Sequence, residues 1–84
     1  MFHKNEIYIR KLPYEEAELK LKKELDQHYM NGVSRIRIIH GKGEGILKQM
    51  TWDYCKEQSF VKKIYEASFY EGGAGATIVE LIPF

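Results

Sequence analysis

The sequence predicts an α/β fold: a two-layer βαβαββ sandwich in which a four-stranded mixed sheet carries two helices on one face. Two short runs of alternating apolar and polar residues are each followed by an amphipathic helical pattern. Two further β-rich runs then flank a glycine-rich turn. Right-handed crossovers made in the same direction along a sheet put both helices on the same side of it, leaving the other side to water.

"EIYIR" (6–10) alternates Ile7 and Ile9 with Tyr8 and Arg10, the period of a strand with one buried face. Pro13 then opens "YEEAELKLKKELDQHYM" (14–30), where Tyr14, Ala17, Leu21, Leu25 and Tyr29 form one apolar stripe. Glu16 with Lys20 and Glu18 with Lys22 are favourable i, i+4 pairs on its wet side, and Gly32 is placed to stop the helix. "SRIRII" (34–39) is a second strand, with Ile36 and Ile38 in one phase and Arg35 and Arg37 in the other. From Gly45 or Ile46 to about Gln58, the spacing of Leu47, Met50, Thr51, Tyr54 and Cys55 predicts a second helix with Trp52 at its edge. "FVKKIYEA" (60–67) and "ATIVELI" (76–82) are the last two strands, joined by "SFYEGGAG", whose Gly72, Gly73 and Gly75 can supply positive φ.

Eighty-four residues make one small domain, 1–84, too short for a two-half dinucleotide fold. The N-terminus lacks the apolar core of a signal peptide and no apolar run could cross a bilayer, so a cytoplasmic protein with no membrane partner is expected. The lone Cys55 cannot form an internal disulfide and reads as a buried, inert thiol. Net charge is only +1, so any nucleic-acid affinity must come from where the basic residues cluster.

Two places gather chemistry. The strand phase opposite the isoleucines puts Tyr8, Arg10, Arg35 and Arg37 on the open face, with Lys63 and Tyr65 in the same phase of the third strand. Arginine suits phosphate and tyrosine suits unpaired bases, although both are also common on exposed strands. The second place is "HGKGEG" (40–45), a glycine loop between a strand and a helix start, the general geometry for receiving an anion. Its spacing is not that of the known nucleotide signatures. Lys42 and Lys48 add positive charge, and His40 could bond a phosphate or act as general acid or base; a simple backbone hydrogen bond is the plainer role for a lone histidine in a turn.

The order "HGKGEGIL" followed about thirty residues later by "YEGGAGATIVEL" resembles the Smr domain, the small MutS-related module found at the C-terminus of MutS2 proteins and alone. "IYIRKLPYEEA" occupies the place of the family's LDLHG or LDLRG start and first helix. The resemblance implies a sandwich similar to the C-terminal domain of translation initiation factor three, DNA or RNA binding and, in many members, endonuclease nicking. It places His40, Gly41, Lys42 and Gly43 in the HGxG motif, and Glu71, Gly72, Gly73, Gly75 and Thr77 in the late glycine motif. Arg10 matches the LDLR form of the start, whereas Tyr8 stands where the family usually has aspartate and Lys11 where it has glycine.

The function this supports is nucleic-acid binding, directed to branched or single-stranded structure, with His40 and Arg10 as the candidate catalytic pair if phosphodiester cleavage occurs. Binding residues would be Tyr8, Lys11, Arg35, Arg37, Gly41, Lys42, Gly43, Gly45, Lys48, Glu71, Gly72, Gly73, Gly75 and Thr77. No metal ligand is assigned, and magnesium or manganese enters only for a metal-dependent nuclease. The chain is expected as a monomer or weak homodimer, alone or within a larger MutS2-like chain. The alternative is a protein-interaction or homodimerisation module in which the glycine loop is only a turn.

Overall fold

A computed structural model describes residues 5–84; residues 1–4 of the expected domain lie outside the described residues. The elements are β1 (Glu6–Tyr8), α1 (Tyr14–Met30), β2 (Arg35–Ile39), α2 (Ile46–Lys56), β3 (Val61–Glu66) and β4 (Ala76–Leu81). Two 3-10 turns, Phe69–Glu71 and Gly73–Gly75, lie between β3 and β4. The sheet order is β1-β2-β4-β3, with β1 parallel to β2 and β4 antiparallel to both of its neighbours.

The α1 stripe buries Ala17, Leu21 and Leu25, and α2 buries Met50, Thr51 and Cys55. The apolar members of these sets pack with Ile7, Ile9, Ile36, Ile38, Val79 and Leu81 in one core between the helices and the sheet. Truncating a fully buried leucine such as Leu21 or Leu25 to alanine typically costs about 2–5 kcal/mol, so this layer carries much of the fold's stability. α1 ends as the sequence predicts: Gly32 takes φ 79°, and the Val33 amide donates back to the His28 carbonyl at 3.0 Å. Burial pushes the Cys55 thiol up to about 12, which keeps it protonated and unreactive.

Two expectations need correction. β1 is shorter than "EIYIR": it ends at Tyr8, because the Ile9 and Arg10 amides both donate to the Ile39 carbonyl, at 3.0 Å each, and the chain turns away. Arg10 is therefore a loop residue. Nor is the open sheet face simply wet: Ile78, Ala76 and Ala67 are buried there, with Ile39 and Tyr65 against them. The 68–75 segment folds back to the arginines of this face, and Arg35 pairs with Glu71 at 3.0 and 2.9 Å.

Candidate nucleic-acid interface

Because β2 and β4 run antiparallel with Ile39 opposite Ala76, the end of one strand lies beside the start of the other. Two glycine motifs thirty residues apart in sequence thereby become neighbours. The His40 and Gly41 amides both donate to the Gly75 carbonyl, at 3.1 and 2.8 Å. β1 ends at the same level, with Tyr8 opposite Ile39, and brings Arg10 and Lys11 to the junction. The result is a cleft of about 800 Å³ at the carboxyl ends of the two parallel strands, the usual place for a ligand in an open α/β sheet.

The loop that floors this cleft alternates in hand. Gly41, Gly43 and Gly45 take φ of 85, 22 and 84°, whereas Lys42 and Glu44 between them keep ordinary negative values. Such alternation turns successive N–H groups toward one side and makes a concave seat for an anion. Gly41 is also a position of close approach: a Cβ there would lie 3.0 Å from Cγ of Arg10, whose side chain crosses over it. α2 begins immediately after Gly45 without a side-chain cap, so the free N–H groups of its first turn open on the cleft that Gly45, Ile46, Leu47 and Lys48 line.

His40 is 4 % exposed, and both its ring nitrogens are engaged inside the protein. Nδ1 lies 2.9 Å from the Gly41 carbonyl, which can only accept, so Nδ1 carries the proton. Nε2 of the neutral ring then accepts from the Thr77 hydroxyl at 2.8 Å, and Thr77 in turn accepts the Trp52 indole N–H at 2.9 Å. The chain Trp52 to Thr77 to His40 to Gly41 is directional, each donor feeding the next acceptor. Burial holds the His40 pKa below its ordinary value of 6.5. The unfolded chain binds a proton near pH 6.5 and the folded chain only at lower pH, so stability present above pH 6.5 is lost as pH falls through the interval below it. The thermal midpoint is expected to drop on acidification through that interval, before the carboxylates titrate, and this early drop should vanish in His40→Gln.

The remaining charges divide into two groups. Arg35 holds the Glu71 carboxyl below the usual carboxylate range through its bidentate bond, and Arg37 donates to the Glu71 carbonyl at 2.9 Å and to the Glu6 carboxylate. Lys48 pairs with Glu66 at 3.0 Å. These three cations, with Glu71, are bound into the fold and brace the cleft. Arg10, Lys11 and Lys42 line it without an ion pair among the described residues. Lys11 has φ 68°, a left-handed conformation that costs a non-glycine residue about 1–2 kcal/mol. That explains a glycine at this position on backbone grounds and shows the lysine to be held there at some strain.

Tyr8, 46 % exposed, sits on the rim. Gly72 and Gly75 line the opposite wall, Gly73 lies in the adjoining 3-10 turn, and Thr77 is buried behind His40. The structure therefore brings most of the sequence-predicted residues to one cleft, with Arg35 outside it. Sequence reasoning missed the structural part of Trp52, assigned only to a helix edge; no local signal links it to Thr77. No group of three or more His, Cys, Asp or Glu side chains among the described residues could hold a metal ion. Of the two carboxylates on the cleft, Glu44 and Glu71, the second is committed to Arg35, so these residues do not fit a protein-held divalent cation.

No helix among the described residues is long and apolar enough to cross a membrane. The chain is 50 % identical over 76 residues to the endonuclease MutS2 of Carboxydothermus hydrogenoformans, covering 90 % of this chain and 10 % of that protein. Against the Clostridium botulinum endonuclease MutS2 it is 41 % identical over 73 residues, covering 87 % of this chain and 9 % of the relative. It thus spans about a tenth of the length of the curated relatives it matches. The crystal structure of the Smr domain of Thermus thermophilus MutS2 superposes with a TM-score of 0.88 at 34 % identity, covering 94 % of this chain and 99 % of that one. YdaL, a stand-alone small MutS-related protein of Escherichia coli, superposes equally well, with a TM-score of 0.88 at 25 % identity, covering 92 % of this chain and 63 % of that one. With the Smr domain model matching residues 7–82, the chain belongs to the Smr domain family.

Proposed function

We propose that this domain binds nucleic acid by seating a backbone phosphate in the glycine cleft, and that it nicks the strand it holds. One observation carries the reading: three cations without ion-pair partners among the described residues, Arg10, Lys11 and Lys42, surround a glycine loop of alternating hand and an uncapped helix N-terminus. All three features favour a multiply charged anion, and none is needed by the core. The family membership and the relatives' name, endonuclease MutS2, support a phosphodiester as that anion.

In this reading Arg10, Lys42 and the loop amides touch the phosphate and stabilise the charge that builds on it during displacement. His40 serves as a positioning residue, because it must first break a buried hydrogen bond before it can take or give a proton. Arg35, Arg37 and Glu71 hold the cleft wall, and Lys48 steers from its edge. A divalent ion, where cleavage needs one, would be held largely by the substrate's own oxygens.

Fluorescence anisotropy with a branched DNA tests the binding. The seated phosphate and its neighbours along the strand together meet the three cations; neutralising about three phosphates gives a log–log salt slope near −2.7, or roughly a 40-fold loss of affinity between ~50 and ~200 mM salt. Arg10→Ala with Lys42→Ala should flatten that slope by about two. Affinity indifferent to salt overturns the reading. Nicking of supercoiled plasmid and of a structured RNA, with magnesium, manganese or EDTA, tests the chemistry; Arg10→Ala is expected to slow it on the order of 100-fold. If neither substrate is cut under any condition while binding persists, the domain binds and does not cleave.

A further inference from the structure

The turn beside the cleft carries an unexplained feature. Phe69 is 86 % exposed and Tyr70 92 % exposed, the two highest values among the exposed large hydrophobic residues described. Their rings meet edge to face, centroids 5.4 Å apart at 82°. Exposed aromatic rings on a slack loop would mean little, but this turn is held firmly. The Glu71 and Gly73 amides both donate to the Ser68 carbonyl at 2.9 Å. Arg35 grips the Glu71 carboxylate, and Arg37 grips its carbonyl. Two arginines of the sheet thus fix a turn whose aromatic side chains contribute almost nothing to the core.

The next two residues, Glu71 and Gly72, line the cleft. A pair of presented rings therefore sits immediately before the residues with which one anchored segment walls the cationic cleft. We infer that Phe69 and Tyr70 form a stacking platform for an unpaired base whose backbone phosphate occupies the glycine cleft. This inference rests on the nucleic-acid reading given above and sharpens it: the preferred substrate has unpaired nucleotides, and selectivity comes from the open π face of a base, which a duplex hides. A protein partner is the weaker reading of the rings, because two side chains bordered by Glu71 and the polar glycine loop fall far short of a standard interface.

The test compares three fluorescein-labelled probes of equal length: an oligothymidylate, the same strand made abasic throughout, and a duplex. The wild type should bind oligothymidylate more tightly than either other probe. Phe69→Ala with Tyr70→Ala should weaken oligothymidylate binding by about tenfold or more per base stacked, and leave abasic binding and the salt slope unchanged. Tyr70→Trp, which keeps a π face, should retain wild-type affinity, whereas Tyr70→Leu, which keeps apolar area alone, should not. Equal loss on the abasic strand, or no loss on oligothymidylate, overturns the platform while leaving phosphate binding intact. A fall in sedimentation mass in the double variant also overturns it, because the rings would then join copies of the chain. Failure of the wild type to bind any probe refutes the nucleic-acid reading itself, and the platform with it.

Discussion

Replacing Thr77 with valine is expected to destabilise the domain by about 2–6 kcal/mol, although the shape of the side chain is nearly kept. The Thr77 hydroxyl is the middle link of the buried chain, accepting from Trp52 and donating to His40. A methyl in its place leaves an indole N–H and an imidazole nitrogen unsatisfied, each worth about 1–3 kcal/mol. A domain of this size has roughly 4–13 kcal/mol in total, so the loss is a large share of it. Urea denaturation should show a lower midpoint at unchanged slope. Thr77→Ser keeps the hydroxyl and should recover most of the difference, which separates the hydrogen bonds from packing. If Thr77→Val unfolds at the wild-type midpoint, the chain of hydrogen bonds contributes nothing net.

Gly72→Ala should be nearly as damaging, by about 2–4 kcal/mol, for a different reason. Gly72 has φ 115°, outside what an L residue adopts readily, and an added Cβ would lie 2.9 Å from Cβ of the fully buried Ala76. Ala76 cannot retreat, because it is paired with Ile39 on one side and its carbonyl accepts the Ala67 amide at 3.1 Å on the other. Strain and overlap therefore add. Gly73 supplies the control: it also has positive φ, 53°, but open space around its Cβ position. Gly73→Ala should cost only about 1–2 kcal/mol. Equal midpoints for the two variants would show that the contact with Ala76 does not matter. The Gly72 variant should also bind nucleic acid less well than its remaining stability accounts for, because Gly75 moves with this turn and carries the carbonyl that holds His40 and Gly41.

The layers of the fold were legible in the sequence because they are local. The α1 stripe spans the same residues, 14–30, in sequence and structure, since a periodic run of seventeen residues between Pro13 and Gly32 admits little else. The parity of β2 was equally plain from Ile36 and Ile38, whereas the nearly unbroken apolar run of β4 carries no alternation to read. Relations between distant residues were not legible. Arg35 and Arg37 are basic residues on a strand, and nothing near them in sequence marks them as partners of Glu71 and Glu6. "EIYIR" continues its alternation for two residues beyond the strand, because Ile9 is buried by the turn rather than by the ladder. The glycine loop was recognisable as a turn between a strand and a helix start, but not that the Gly75 carbonyl takes the His40 and Gly41 amides. Phe69 and Tyr70 read as part of the joining segment "SFYEGGAG", whose sequence does not say where its rings point; only the three-dimensional turn shows them turned out.

β4 is the last strand of the sheet in chain order, yet it is inserted between β2 and β3. A nascent chain emerging from the ribosome can pair β1 with β2 and lay down both helices while the centre of the sheet is still vacant. During that interval there is no carbonyl to hold the glycine loop, no hydroxyl for His40, and no turn to present the aromatic pair. The cleft is then the final product of folding, closed by contacts about thirty-five residues apart in sequence, the kind that form late and slowly. A partly made copy, or one opened by loss of β4, would keep its basic residues and lose the geometry that puts them to use. The proposed hold on a phosphodiester is in this way tied to completion of the sheet, whose inner strand β4 is the last of these elements to be made.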